Sequence, residues 1–290
     1  VAHAETPKPL NLFSDSIFNQ RACAPVAIII DLEDSVPPAE RHDSRLALSG
    51  TVKTVSTGSN GVIIRINRPL REVIEDIKYA VSKDVDALML PKIGSAEHLL
   101  LIEEIVAEQE ILRDLEVGST KFLPMIETAE GYFNMRDIAS ASQRNIGMML
   151  GGEDFALDNG MDPSPETLLI ASQRLVYAAR AANIIPFGTI GTIADYNDVE
   201  SYTEIAKKSD KFGFEGAACI HPKVVPILNE AFSPTQEEID LANRVVVAYQ
   251  NSLKEGRGAV SLDGQMIDVP VAERAQRLLA RVDFIKKIYA

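Results

Sequence analysis

The chain has 290 residues, 46% hydrophobic and 24% charged, enough for one large folded domain or two small ones. Its formal net charge of -13 disfavours nucleic acid and anionic membrane surfaces as partners, yet leaves room for a local pocket that captures a small anion. No apolar run approaches the roughly 20 residues of a membrane span. The start, with its prolines Pro7 and Pro9, lacks a signal-peptide core, and Cys23 and Cys219 read as buried free thiols. Together these point to a cytoplasmic protein with no membrane or nucleic-acid partner.

Residues 1–25 read as an irregular lead-in with a helix over 11–21. The run 26–34 is apolar until it ends in Asp31, Glu33 and Asp34, and is expected as a buried strand. Pro37 and Pro38 break it, and a helix is expected over 39–48. The run 61–67 gives the next strand, with Arg65 and Asn67 near its end, and a helix follows over 69–81. The strand 87–93 stops at Pro91 and Lys92. A helix with acids on its outer face spans 97–115. Two further runs stop abruptly in carboxylates: 122–127, ending at Glu127, and 148–155, with Asp154 at its mouth. Helices follow them over 131–141 and 165–182. A weaker strand at 184–190, a helix over 198–211 and a strand at 217–222 complete the alternation.

Seven near-continuously apolar runs alternating with helices predict parallel strands covered by helices, an α/β protein. With an unclear start, this is expected to be a (β/α)8 TIM barrel whose first strand is hidden or absent here. A doubly wound open sheet is the alternative. Chemically able residues recur where strands end, as in barrels, and no Gly-x-Gly-x-x-Gly or Walker pattern follows any strand. The tail differs. Ser233-Pro234 is expected to open a helix running to 254, Asp263-Gly264 to turn a small hairpin, and a last helix to span 270–289. The expected domains are a barrel over 1–232 and a C-terminal helical lid or oligomerisation arm over 233–290.

Glu127 and Asp154, aimed at one point from neighbouring strands, would repel unless a cation lay between them. A hard divalent ion such as Mg²⁺, held by two carboxylates and several waters, suits that place. Each residue also has a plainer reading. Either carboxylate serves equally as a loop contact or helix cap, and Arg65 as an ion pair with Asp31 or Glu33. Lys92 serves as a solvated strand-end lysine, and Asp268 as part of the start of the last helix. His221, before Pro222, reads as a hydrogen-bonded histidine rather than a base. Glu153 is expected to point away from its neighbour Asp154.

Eight segments in order carry a resemblance: Asp31-Leu-Glu-Asp-Ser-Val-Pro-Pro, Ile64-Arg-Ile-Asn, Leu90-Pro-Lys, Ile126-Glu-Thr-Ala-Glu-Gly, Gly151-Gly-Glu-Asp, Gly213-Phe-Glu-Gly, Ile220-His-Pro and Asp263-Gly-Gln-Met-Ile-Asp. From about residue 26 onward the chain resembles the citrate lyase β-subunit-like group of the HpcH/HpaI aldolases. The resemblance implies a (β/α)8 barrel that binds Mg²⁺, with Mn²⁺ as a substitute, and a CoA thioester. The implied reaction cleaves citramalyl-CoA or malyl-CoA into acetyl-CoA plus pyruvate or glyoxylate. The resemblance assigns Glu127 and Asp154 to the metal and Arg65 to the grip on substrate; on chemical grounds Asp31, Glu33 and Asp34 are expected to orient Arg65 and metal-bound water, and Lys92, Glu127 and Gly152 are counted with Arg65 and Asp31 as substrate contacts. The resemblance assigns catalysis to Arg65 and Asp268, the latter on a lid that in relatives closes over a neighbouring subunit of a trimer or hexamer, and Glu33 is expected to join them through Arg65. Rival readings are a thioesterase or malate-synthase-like enzyme on the same scaffold, and a citrate-lyase-type subunit that acts only in a complex. Two features depart from the group: no Leu-Phe-Val-Pro-Gly strand precedes Val26, and Pro186-Phe-Gly-Thr-Ile lacks the group's Asp–aromatic pattern.

Overall fold

The computed structural model describes residues 26–56, 60–191 and 198–289. The helix expected over 11–21, a first strand before Val26, and Cys23 therefore lie outside the described residues. The chain divides into two compact units, Val1–Asn229 and Glu230–Ala290.

In the first unit six strands follow one another: β1 (Ala27–Asp31), β2 (Gly61–Arg65), β3 (Ala87–Leu90), β4 (Lys121–Ile126), β5 (Gly147–Leu150) and β6 (Ile185–Phe187). Each pairs in parallel with the next, in the order β1-β2-β3-β4-β5-β6. A doubly wound sheet reverses its strand order at a switch point; this one never reverses, which is the winding of a barrel wall. Every strand gives a side chain to one cluster: Ile29, Ile63, Met89, Leu123 with Met125, Met149 and Phe187. The alternate residues Ile28, Ile30, Val62 and Ile64 are buried, as the period of two requires of a sheet covered on both faces.

The parallel sheet has six strands among the described residues, not the eight of a complete barrel. The run 217–222 is not a strand: only an isolated bridge joins Phe187 to Gly216. Ile220 is 75% exposed, and His221 caps a short helical turn at Pro222–Val224 by accepting the Lys223 N–H at Nδ1. Pro222 opens that turn at a first helical position, where its missing N–H costs nothing. Cys219 is half-buried rather than buried, and burial pushes its thiol pKa up.

Helices α1 (Arg41–Val55), α2 (Leu70–Ala80), α3 (Ala96–Leu112), α4 (Ala129–Phe133), α5 (Met135–Ser140), α6 (Gly152–Asn159), α7 (Pro165–Ala181), α8 (Val199–Phe212) and α9 (Val225–Ala231) follow the strands. Their buried residues recur at helical spacing, as with Val73, Ile77 and Ala80 of α2 and Leu99, Ile102 and Val106 of α3. Two buried polar networks tie the layers together. Asp76 of α2 accepts from Arg45 Nε at 2.6 Å and from Asn67 N at 2.7 Å, and Asn67 Nδ2 donates to Leu32 O at 2.9 Å. This fastens the chain leaving β1 to the chain leaving β2. Glu110 of α3 accepts from both Arg144 Nη atoms at 2.8 and 2.7 Å and from the Gly118 and Thr120 amides. Burial alone would raise the Glu110 pKa, but these donors outweigh it and hold the carboxyl at about 2.

The second unit comprises α10 (Gln236–Lys254), β7 (Val260–Leu262), β8 (Gln265–Ile267) and α11 (Val269–Tyr289). The cap of α10 is Thr235, not the expected Ser233. Thr235 and Glu238 satisfy each other's backbone N–H groups in a reciprocal capping box. The β7–β8 turn is Asp263-Gly264 as expected, with φ of 50° and 80°, the pair of positive angles a two-residue hairpin turn needs. Ala242, Val245, Ile267 and Ala275 form its core with Tyr249 and Leu278 against them. Among the described residues no helix is long and apolar enough to cross a membrane.

Candidate active site

Strand register places Asp31 opposite Arg65, so the two side chains leave adjacent strands on the same face. They meet as a two-pronged pair, Arg65 Nε to Asp31 Oδ1 at 2.6 Å and Nη2 to Oδ2 at 2.5 Å. The Asp31 carboxylate also accepts the Glu33 and Ser35 amides at 3.0 and 3.1 Å. That self-capping turn ends the strand at Asp31, short of the expected 34, and folds Glu33 back. Glu33 Oε2 lies 3.2 Å from Arg65 Nη1 but off the line of its N–H bonds, so this buried oxygen has an ion-pair partner and no hydrogen bond. Glu33 Oε1 lies 3.2 Å from Lys92 Nζ, which in turn lies 3.1 Å from Asp154 Oδ1. The result is a chain of alternating charge, Asp31–Arg65–Glu33–Lys92–Asp154, running across the C-terminal ends of the strands. Asp34 stands at its rim, 3.7 Å from Arg65 Nη1.

Asp154 is not at a strand mouth. The strand stops at Leu150 and Asp154 sits in the first turn of α6. The Gly151-Gly152 pair has little to pack into a ladder and opens the helix instead. Glu153 beside it is exposed, so the two acids do diverge, through helical rather than strand geometry.

Glu127 follows β4 directly and is 2% exposed. Its Oε2 accepts the backbone N–H of Lys92 at 2.7 Å. Lys92 reaches it from a left-handed conformation, φ 51°, which costs a non-glycine residue about 1–3 kcal/mol. On the other side, a Cβ at Gly151 would lie 2.3 Å from Glu127 Oε1, so only glycine leaves room for this carboxyl. Burial, above all, lifts the Glu127 pKa from 4.5 to about 7. The Lys92 amide and ammonium oppose the rise, while the charges of Asp154 and Glu33 add to it. Burial likewise pushes Glu33 up, against the pull of Arg65 and Lys92. Asp31 ends below its usual value because Arg65 and the turn amides outweigh its burial. Arg65 and Lys92 are both raised despite burial, by the carboxylates around them.

Five carboxylates (Asp31, Glu33, Asp34, Glu127 and Asp154) therefore surround two cations. A desolvated carboxyl, a buried Glu33 oxygen without a hydrogen bond and this excess of negative charge all fit a further cation. Among the described residues no three His, Cys, Asp or Glu side chains form a ready ligand set. The expected pair Glu127 and Asp154 fits an ion that takes two carboxylates and fills its shell with water or substrate, as Mg²⁺ does.

The structure brings together Asp31, Glu33, Arg65, Lys92, Glu127 and Asp154, and Gly152 opens the helix that carries Asp154. Asp268 lies in the second unit, where its Oδ1 accepts the Val271 N–H at 3.3 Å and caps α11. Sequence reasoning missed Gly151 and the Lys92 amide. The paired glycines before Glu153 were the one local signal for the first, and nothing local marks the second.

Residues 15–222 match the HpcH/HpaI aldolase/citrate lyase family. The chain is 34% identical over 258 residues to citrate lyase subunit beta of Leuconostoc mesenteroides subsp. cremoris, covering 87% of this chain and 84% of that protein. It is 28% identical over 298 residues to the L-malyl-CoA/beta-methylmalyl-CoA lyase of Cereibacter sphaeroides, covering 93% and 92%. The protein CitE of Mycobacterium tuberculosis, solved in complex with magnesium, acetoacetate and coenzyme A, shares the fold with a TM-score of 0.71 and 27% identity, over 89% of this chain and 90% of that one.

Proposed function

Since the chain belongs to the HpcH/HpaI aldolase/citrate lyase family, we propose that it is a Mg²⁺-dependent carbon–carbon lyase acting on a 3-hydroxy-3-carboxyacyl-CoA, citramalyl-CoA or malyl-CoA. The products are acetyl-CoA and pyruvate or glyoxylate. The observation that carries this reading is the buried Glu127 carboxyl beside Asp154, at the end of an ordered run of charged groups. The reading takes the six-stranded wall as part of a (β/α)8 barrel, and the protein as a cytoplasmic homo-oligomer, a trimer or hexamer.

In the reaction the substrate hydroxyl gives up its proton, and the bond between the hydroxyl-bearing carbon and the thioester's α-carbon breaks. That electron pair passes to the thioester side as an enolate, and a proton returns to the enolate carbon to give acetyl-CoA. A divalent ion held by Glu127 and Asp154 supplies charge that lowers the hydroxyl pKa and neutralises the substrate carboxylate. Arg65, clamped through Nε and Nη2 by Asp31, presents a fixed guanidinium edge to a carboxylate or enolate oxygen. Glu33 keeps Arg65 and Lys92 apart and in register. The amides that open α6, starting at Gly152, lack helical acceptors and can receive a substrate carboxylate oxygen. Asp268 on the C-terminal arm carries the proton to or from carbon.

The identity to citrate lyase subunit beta favours a second reading, a subunit that acts only within a complex and takes its thioester from an acyl-carrier protein. The deciding experiment offers the purified protein with Mg²⁺ citramalyl-CoA and malyl-CoA separately, with a chelator control and mass-spectrometric product analysis. Acetyl-CoA with a 2-oxo acid, lost on chelation, is expected. Free CoA with intact hydroxy acid means a thioesterase, and no turnover without partner proteins favours the subunit.

A further inference from the structure

Lys92 touches the carboxylate cluster twice. Its backbone N–H is committed to Glu127 Oε2 at 2.7 Å. Its ammonium lies between Asp154 Oδ1 at 3.1 Å and Glu33 Oε1 at 3.2 Å. Among the described residues Lys92 is the one cation paired with Asp154, whereas Glu33 is also paired with Arg65. The lysine therefore bridges a carboxylate with no other ion pair among the described residues and one that also pairs with Arg65.

We propose that the Lys92 ammonium is a built-in counter-cation that competes with the divalent ion for Asp154, and so sets how tightly the site takes its metal. This rests on the assignment of Glu127 and Asp154 as metal ligands. A second cation arriving at Asp154 meets the like charge of Nζ about one contact distance away. Nζ has somewhere to go, because Glu33 Oε1 is already within ion-pair reach and Arg65 holds Glu33 in place. Loading the metal thus moves Lys92 from shared pairing with Asp154 and Glu33 to pairing with Glu33 alone, and no buried carboxylate is left uncompensated. The Glu127 contact is made by the backbone, so a change of the Lys92 side chain leaves it intact. Lys92 acts here as a positioning residue through Asp154.

The test is a Mn²⁺ titration, read by the paramagnetic resonance signal of free aqueous Mn²⁺, together with thermal melts of metal-free and Mn²⁺-loaded protein. Lys92→Met removes the charge, and Lys92→Arg keeps it. Lys92→Gln replaces Lys92→Met if the latter does not fold. The neutral variant is expected to bind Mn²⁺ about three- to tenfold more tightly, the effect of removing one like charge at a partly solvated site. Its metal-free melting temperature is expected to fall, so that the rise on adding Mn²⁺ widens. Lys92→Arg is expected to bind within about twofold of wild type, since the charge remains. Unchanged or weaker Mn²⁺ binding by the neutral variant, with wild type binding normally, overturns the proposal and leaves the metal assignment standing. Wild type that takes up no Mn²⁺, or a Glu127→Ala/Asp154→Ala double variant that binds as well as wild type, overturns both.

Discussion

Gly151 stands against Glu127 so closely that a Cβ on it would lie 2.3 Å from Oε1 and 2.5 Å from Cγ. The group that must yield is the Glu127 side chain itself, and yielding breaks its hydrogen bond to the Lys92 amide on its other side. Gly151→Ala is therefore expected to drive Glu127 from its pose while leaving the strands intact. Mn²⁺ affinity should fall about 10–100-fold, the range seen when support around a metal ligand is lost, and lyase turnover should fall with it. A metal titration beside a thermal melt checks this. A variant that binds Mn²⁺ normally means that the carboxyl finds another productive pose.

The raised pKa of Glu127, about 7 against 4.5, fixes the sign of a pH effect. Between these values the folded chain holds a proton that the unfolded chain has shed. The stability of the metal-free protein linked to this group is thus full below about 4.5 and is lost as pH rises through about 7. A metal must displace the same proton, so affinity should climb by up to about tenfold per pH unit toward neutrality and then level off. Glu127→Gln should abolish both dependences. Mn²⁺ titrations from acid to neutral pH, with chelated-protein melts over the same range, measure the two slopes.

Arg65 and Asp31 should not tolerate a simple exchange of cation. Lysine keeps the charge but cannot offer two parallel N–H groups to both oxygens of Asp31. Arg65→Lys is expected to lower kcat/KM by about 10²–10³-fold, as losing an aligned donor does, with little loss of stability. Arg65→Met leaves Asp31 and the buried Glu33 without this partner and should cost about 3 kcal/mol. Steady-state kinetics and urea unfolding separate the two outcomes.

The Arg144–Glu110 pair supplies a control away from the site. Glu110 is buried, and Arg144 bonds both of its oxygens. Arg144→Met should cost about 3–5 kcal/mol by stranding that charge, while Mn²⁺ affinity of the folded fraction stays that of wild type. In the wild type this carboxyl sits at about 2, below its ordinary 4.5. Its contribution to stability is therefore present above 4.5 and lost as pH falls toward 2. Acid unfolding curves of the two proteins should converge in that window.

Much was readable from local pattern. Runs such as Ala87–Leu90 and 122–126 are apolar on both faces, and burial on both faces is what makes a strand in a helix-covered parallel sheet. The Asp263-Gly264 turn was legible because its positive φ angles suit so few residues, and Asp31, Arg65, Lys92 and Glu127 stand where strand runs stop, Asp154 being the exception. Tertiary structure decided the rest, since it depends on contacts between residues far apart in the chain. Asp31 ends its strand early because its carboxylate, held by Arg65 from the next strand, also caps the following turn. Asp154 belongs to a helix because the chain turns at Gly151 to make room for Glu127. Lys92 joins Glu33, Glu127 and Asp154 only once three strands and a helix have been packed side by side. The period of a sequence tells which face is buried, but not which charged groups from separate elements will meet, because that is set by register and by the space left between packed elements.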